Sequence, residues 1–262
     1  MFELRHRKVL SDGNRIAKGW KGQAVRASMV RPHLVGDPVN SPSRLDEKME
    51  GVVLTPTLSR WPDSRAKRLI DVIGAVLLLV PALPLMAIVA VVIKLTSPGP
   101  VLFRQIRWGR DGHRFHLLKF RSMRHGRSHS GPGLTSSKDT RVTPVGRVIR
   151  RWKLDELPQL LNVIRGEMSL VGPRPDLPEY LDALPAAQRQ VLHLKPGITS
   201  IATLRFRNEE ELLSTVPAEL LIDYYIANVL PQKANMEMDY ASQASLVSDL
   251  AVLLRTVGAI FQ

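Results

Sequence analysis

An uncharged apolar run of 22 residues, Val72 to Ile93, constrains this chain more than any other feature. As a helix, such a run is long enough to cross the hydrocarbon core of a bilayer, which is about 30 Å thick. Pro81 and Pro84 lie in its middle, however. Each proline removes a backbone donor and crowds the preceding helical turn. The run therefore predicts a membrane helix that does not pass straight through.

Both flanks of this run are basic. Arg65, Lys67 and Arg68 precede it, and Lys94 and Arg104 follow. Because Lys and Arg favour the cytoplasmic side of a membrane, both ends are expected on that side. A helix that breaks at Pro81 and Pro84 and leaves by the leaflet it entered satisfies both constraints. The alternatives are an ordinary kinked span and a buried core helix.

The charge of the chain is concentrated in one segment. Residues 96–153 carry fourteen Lys or Arg and two acids, a net charge of +12 out of +13 for the whole chain. Such a surface favours anionic partners, which could be nucleic acid, anionic lipid or a phosphorylated substrate. Aromatic residues make up only 5% of the chain, so platforms for base stacking are few and nucleic acid is disfavoured. Cysteine is absent, which excludes disulfides and cysteine-based zinc sites.

These patterns predict an α+β protein with four parts. Residues 1–66 are basic, rich in Gly, Pro and Ser, and expected to be a disordered arm or an arm ordered on a partner. Residues 67–95 are expected to form the re-entrant membrane helix, and residues 96–240 a small, mostly helical cytosolic domain with a short β-hairpin. Residues 241–262 are expected to form an amphipathic helix on the membrane or on the domain.

Local patterns place the elements of residues 96–240. Two β-rich runs, 101–107 and 114–120, flank a Gly-Asp-Gly turn and predict the hairpin. Thr143 followed by Pro144 predicts a capped helix start. A second helix is expected to begin near Leu154, with an inward face formed by Leu157, Leu160, Leu161 and Ile164.

Two adjacent carboxylates, Asp155 and Glu156, follow the basic segment directly. A carboxylate can attack phosphorus while cations and a bound metal hold the phosphates, so the pair suits phosphoanhydride chemistry. The alternative is a charge cluster at a helix N-terminus. Three consecutive acids, Glu209 to Glu211, are expected to be only a solvated helix start.

Four blocks carry a resemblance to a known family. They are KRLIDVIG, SPGPVLFRQIRWGRDGHRFHLLKFRSM, LDELPQLLNVIRGEMSLVGPRP and KPGITSIATLRFRN, all within residues 66–255. In order and spacing they resemble the bacterial sugar transferases, monotopic polyprenyl-phosphate phosphoglycosyl transferases, in their short minimal form. The resemblance implies transfer of a phospho-sugar from a nucleoside-diphosphate sugar, usually a UDP-sugar, to polyprenyl phosphate through an enzyme carboxylate.

The resemblance also implies roles for individual residues. Asp155 matches the nucleophile, Glu156 a partner that helps to hold Mg²⁺, and Pro84, with Pro81 nearby, the break of the membrane helix. Residues that match phosphate-binding and substrate-binding positions are Arg150, Arg174, Arg207, Lys119 and Arg121. One departure is Lys153, which stands where the family often has Ser two residues before the nucleophile.

The implied setting is the cytoplasmic face of the bacterial inner membrane. The expected partners are a UDP-sugar, polyprenyl phosphate and membrane phospholipid, with no nucleic acid, and a homodimer is compatible with the resemblance. The rival interpretation is a basic scaffold that binds anionic lipid without catalysis.

Overall fold

A computed structural model describes residues 58–124, 126, 134, 139–185 and 188–260. The predicted disordered arm lies outside the described residues as far as residue 57. Residues 58–66, the last part of the predicted arm, are ordered, so the predicted disorder does not extend to residue 66. A 3₁₀ turn spans Trp61–Asp63, and the Trp61 indole donates to Asp249 Oδ2 at 2.8 Å. The indole finds a partner near the C-terminus, a contact that local patterns do not reveal.

The apolar run forms one helix, α1 (Arg65–Thr96), which Ser64 caps by accepting from the Lys67 amide. It is the one helix of the described ranges that is long and apolar enough to cross a membrane. The helical backbone continues through Pro81 and Pro84. A break at these prolines would therefore have to be a bend within a continuous helix, and it stays a prediction.

One stripe of α1 packs on the rest of the protein along the length of the helix. Near its start, Ala75 is buried in a cluster with Phe115 and Met168. Near its end, Ile93 is buried in a cluster with Phe120 and Ile149. Most other large apolar side chains of α1 are exposed. Both ends of the apolar helix thus contact the same globular body.

The predicted hairpin is confirmed. Strands β1 (Leu102–Trp108) and β2 (Arg114–Phe120) pair antiparallel, with Leu102 opposite Phe120. The turn between them contains Asp111 and Gly112 with positive φ of 54° and 76°. Asp tolerates this left-handed conformation better than most residues and Gly adopts it freely, which is why this sequence turns here.

The helix expected from Leu154 begins later. After α2 (Pro144–Arg151), whose predicted Thr143 cap is confirmed, a 3₁₀ turn spans Leu154–Glu156, and α3 runs over Gln159–Arg165. Pro158 has no backbone N–H, so it cannot donate the hydrogen bond that would join the 3₁₀ turn and α3 into one helix.

The inward face of α3 also differs from the expectation. Leu160 and Val163 are buried, whereas Leu157, Leu161 and Ile164 are half-buried. Asn162, on the same helix, is fully buried. Its Oδ1 accepts from the Leu118 amide at 3.1 Å, and its Nδ2 donates to the His116 carbonyl at 2.8 Å. These two bonds connect α3 to the hairpin.

A second pair of strands was not predicted. Strands β3 (Ser169–Val171) and β4 (Gly197–Thr199) pair in parallel. Each has three residues, too few for a periodic signal. The backbone after β3 and the backbone before β4 approach so closely that a Cβ on Gly172 would lie 2.3 Å from the Lys195 carbonyl oxygen. Strand β3 leads directly into the Gly172–Pro175 turn.

The remaining helices follow these strands. They are α4 (Pro178–Asp182), α5 (Ile201–Arg205), α6 (Glu209–Leu213), α7 (Leu221–Tyr224), α8 (Leu230–Gln243) and α9 (Leu246–Ile260), with a π-helical turn at Tyr225–Val229. The C-terminal helix therefore starts at 246, not at 241. Ala244 has an extended backbone, which separates α8 from α9. Val252 is buried, while Val247, Leu254 and Val257 on α9 are exposed.

Candidate active site

The carboxylate pair lies in the 3₁₀ turn between α2 and α3. Asp155 and Glu156 are 6% and 8% exposed. Lys153 precedes them with a left-handed backbone, φ 55°. A lysine held in this region costs on the order of 1 kcal/mol, and such strain tends to occur at functional sites. The residue that departs from the family pattern thus forms the bend that sends both carboxyl groups inward.

Two cations meet at one oxygen of Glu156. Arg174 Nη2 donates to Glu156 Oε1 at 2.7 Å, and Lys119 Nζ donates to the same atom at 3.2 Å. Burial raises the pKa of Glu156, but the attraction of Arg174 and then Lys119 outweighs it, so this pKa lies well below its usual range. Glu156 therefore stays ionised. Arg174 comes from the turn after β3 and Lys119 from β2, so the cluster joins three elements.

Asp155 meets the opposite environment. Its Oδ1 is buried and has no hydrogen-bond partner among the described residues. Burial and the neighbouring charge of Glu156 raise the pKa of Asp155 above its ordinary value. A bare carboxylate oxygen is available for a metal or for attack on an electrophile, whereas Glu156 Oε1 is occupied. The two carboxyl groups are thus set apart for different tasks.

All of the sequence-predicted site residues except the two prolines line one open cleft of about 810 Å³. Besides the carboxylates and the two cations at Glu156, the cleft walls include Arg150, Arg121 and Arg207. Arg150 forms an ion pair with Glu210, and Arg207 is exposed. Pro81 and Pro84 lie apart from the cleft, on exposed positions of α1.

Arg121 has a second task that the sequence did not indicate. Its Nη2 donates to the carbonyl and to the hydroxyl of Ser97, both at 2.8 Å. Ser97 is the C-cap of α1. A guanidinium at this position satisfies carbonyl oxygens at the end of the helix. Arg121 thus connects the cleft to the end of the apolar helix.

The acidic residues of α6 are not simply solvated, which corrects the expectation for Glu209 to Glu211. Glu210 binds Arg150, and Glu209 forms an ion pair with Lys233. Glu211 remains exposed. Lys233 also lies over the rings of Phe206 and Tyr225. The partners are far apart in sequence, so a run of three acids carries no local signal for these contacts.

A second buried network joins α1 to the strand before Arg174. Asp71 accepts from Ser169 Oγ at 2.8 Å and from the Leu170 amide at 3.1 Å. Lys67 is its ion-pair partner at 2.7 Å and also pairs with Asp249 on α9 at 2.9 Å. The base of the apolar helix is therefore tied to the element that presents Arg174.

The chain matches known proteins over most of its length. A family model described as bacterial sugar transferase matches residues 62–262. A UDP-glucose:undecaprenyl-phosphate glucose-1-phosphate transferase of Caulobacter vibrioides is 41% identical over 205 residues, 73% of this chain and 68% of that protein. A protein of the same name from Escherichia coli K12 is 34% identical over 227 residues, 82% of this chain and 45% of that protein.

A shorter relative is covered almost completely. The exopolysaccharide production protein PSS of Rhizobium leguminosarum bv. phaseoli is 35% identical over 207 residues, 73% of this chain and 92% of that protein. The chain spans less than half of the Escherichia coli relative. Residues 62–262, which the family model matches, contain the apolar helix, the carboxylate pair and every cation of the cleft named above. The chain therefore belongs to the bacterial sugar transferase family, and so to the transferase enzymes.

Proposed function

We propose that this enzyme transfers a phospho-sugar from a UDP-sugar to polyprenyl phosphate, with Asp155 as the covalent nucleophile. The names of the Caulobacter and Escherichia coli relatives support both substrates. The observation that carries the proposal is the difference between the surroundings of the two carboxyl groups. Asp155 Oδ1 is buried and bare, while Glu156 Oε1 is held by two cations.

In the first step an Asp155 oxygen attacks the phosphorus that bears the sugar. The bond from this phosphorus to the bridging oxygen breaks, and UMP leaves with the electron pair. Arg150 and Arg174 line the same cleft and offer bidentate donors to phosphate oxygens. They offset the charge that develops on the leaving group. In the second step polyprenyl phosphate takes the phospho-sugar from Asp155.

The donor set fits Mg²⁺. Among the described residues no group of three or more His, Cys, Asp and Glu could hold a metal by itself. Mg²⁺ does not need such a cage, because it commonly binds one or two carboxylates together with water and substrate phosphates. Glu156 supplies a hard carboxylate ligand of this kind, which leaves the bare oxygen of Asp155 available for attack. When bound, Mg²⁺ would neutralise phosphate oxygens. Turnover should stop in EDTA and return with Mg²⁺ or Mn²⁺, measured as UMP release; full activity in chelator would contradict this role.

The location that fits this reaction is the cytoplasmic face of the bacterial inner membrane, with α1 as a re-entrant helix. Two observations support it: the exposed apolar surface of α1, and the contact of both its ends with one globular body. The product, polyprenyl-diphospho-sugar, is the lipid-linked start of an exopolysaccharide, capsule, O-antigen or glycoprotein glycan.

The nucleophile is tested by Asp155→Asn. This substitution keeps the shape of the side chain but removes the attacking charge, so turnover should fall by orders of magnitude. With a UDP-sugar and no acceptor, the intact mass of the unaltered protein should rise by one phospho-sugar. The Asp155→Asn protein should show no adduct. Near-normal turnover in this variant would exclude Asp155 as the nucleophile and favour a binding role for the cleft.

A further inference from the structure

Arg121 is a buried cation with part of its guanidinium unused. Arg121 directly follows the last residue of β2 and is 5% exposed. One nitrogen, Nη2, caps the C-terminal end of α1 at Ser97, as described above. The other two, Nε and Nη1, are buried and have no hydrogen-bond partner among the described residues. A helix cap needs only Nη2, so capping does not account for Nε and Nη1.

The charge of Arg121 is also unpaired. Among the described residues no carboxylate forms an ion pair with it, in contrast to Arg150 and Arg174. Burial lowers the pKa of Arg121, and no acid opposes this shift. The C-terminus of α1 carries a partial negative charge equivalent to about half an electron, which offsets only part of a full positive charge. An anion that entered from the cleft would stabilise a buried guanidinium in this state.

The position of Arg121 indicates which anion this is. The residue lines the cleft that contains Asp155, and it touches the end of the apolar helix. A phosphate carried on a long hydrocarbon chain in the bilayer would reach the cleft beside this helix. The soluble donor needs no such route. Arg150 pairs with Glu210 and Arg174 with Glu156, whereas Arg121 bonds the end of this helix.

We propose that Arg121 binds the phosphate of the polyprenyl phosphate acceptor, at the junction of α1 and the cleft. This inference rests on the proposed function. An oxygen of the bound phosphate attacks the phosphorus of the phospho-sugar on Asp155. The bond between that phosphorus and the Asp155 oxygen breaks, and the carboxylate leaves with the electron pair. The new bond completes a diphosphate. Arg121 lets the two anionic groups approach by neutralising the incoming one.

The experiment separates the two half-reactions in the full chain, reconstituted in nanodiscs. Arg121→Gln and Arg121→Lys should form the phospho-sugar adduct from a UDP-sugar at a rate within about twofold of the unaltered protein. The KM for polyprenyl phosphate should rise about tenfold or more, because a charge-assisted hydrogen bond to phosphate is lost or weakened. Arg121→Lys retains a positive charge and a donor for Ser97, which guards against a variant that fails to fold.

A matched control is Arg124→Gln. Arg124 is an exposed cation three residues away on the wall of the same cleft. It should leave the KM for the acceptor unchanged, which excludes a general effect of cleft charge. Ser97→Ala is a second control, since it removes the hydroxyl at the cap but keeps the guanidinium.

Three outcomes would overturn the inference. An unchanged acceptor KM in both Arg121 variants would exclude the site. An equal loss of both half-reactions together with a lower Tm would show that Arg121 is only a helix cap. An acceptor KM that changes with the content of phosphatidylglycerol, and not with Arg121, would assign the side chain to a phospholipid headgroup. If the unaltered protein forms no adduct, the proposed function itself fails, whatever Arg121 does.

Discussion

Asp155 and Glu156 are neighbours in the chain, but their surroundings give them opposite effects on stability. The pKa of Asp155 is raised, so the folded state binds its proton more tightly than the unfolded chain does. Folding stability is therefore lost as pH rises from the ordinary Asp pKa through the raised one. The pKa of Glu156 is lowered, so its contribution is present above the ordinary Glu pKa and is lost as pH falls through the lowered one.

At neutral pH the two amide substitutions should therefore shift Tm in opposite directions. Asp155→Asn removes a buried, unpaired charge and should raise Tm. Glu156→Gln leaves Lys119 and Arg174 without their anion and should lower it; breaking a buried ion pair costs on the order of 3 kcal/mol. The shift for Asp155→Asn should shrink as pH falls through the raised pKa of Asp155 towards the ordinary Asp value of about 4. The shift for Glu156→Gln should shrink only as pH falls below the ordinary Glu value of about 4. Thermal unfolding from about pH 2 to pH 8 measures this, with Glu211→Gln as an exposed control. A lower Tm for Asp155→Asn at pH 7 would contradict the unpaired state of Asp155.

At the residue scale the sequence predicted which side chains gather but not how they pair. The adjacent carboxylates and the nearby cations were visible as a pattern, and the structure brings them to one cleft. The sharing of Glu156 Oε1 by Lys119 and Arg174 depends on how β2 and the turn after β3 meet. No local pattern encodes that distance.

At the scale of elements, α6 holds its acids against the cations of the cleft. Glu210 binds Arg150, one of the two arginines proposed to hold the donor phosphate. A phosphate must then compete with this carboxylate for the guanidinium. Glu210→Gln should lower the KM for the UDP-sugar severalfold, since an exposed ion pair contributes only up to about 1 kcal/mol. Steady-state kinetics at low salt provide the measurement.

Glu211→Gln is the matched control for this effect. Glu211 has the same charge on the same short helix, but it is exposed. Its substitution tests whether loss of negative charge on α6 is enough. Equal effects of the two substitutions would show a long-range field and not a contact between Glu210 and Arg150.

The elements that were predicted correctly have strong local signals. The hairpin has a Gly-Asp-Gly turn between two β-rich runs, and α2 begins at a Thr-Pro cap. The start of α3 was wrong because Pro158 and the left-handed Lys153 divide one apolar pattern into a turn and a helix. The parallel pair β3 and β4 escaped notice because each strand is short and its partner is distant in sequence.

At the scale of the whole molecule, a basic body carries an apolar helix that contacts it near both of its ends. Lys67 and Asp71 tie the start of α1 to β3, and Arg121 ties its end to β2. If α1 crossed the bilayer, these two anchors would lie on opposite sides of it. The body that joins them would then have to cross as well, with its buried charges. The anchors therefore favour a helix that enters and leaves on one side.

This topology can be tested with single cysteines, since the chain has none of its own. Arg60 and His113 are exposed and lie on the two sides of α1 in sequence. In intact cells neither Arg60→Cys nor His113→Cys should react with an impermeant thiol reagent from the periplasm, and both should react after permeabilisation. Replacing both Pro81 and Pro84 by Ala restores two backbone donors and removes two steric clashes, which favours a straight helix. In that background the cysteine at position 60 should become reactive from the periplasm, while the one at position 113 stays protected. Periplasmic reaction at position 60 with both prolines present would show that α1 crosses the membrane.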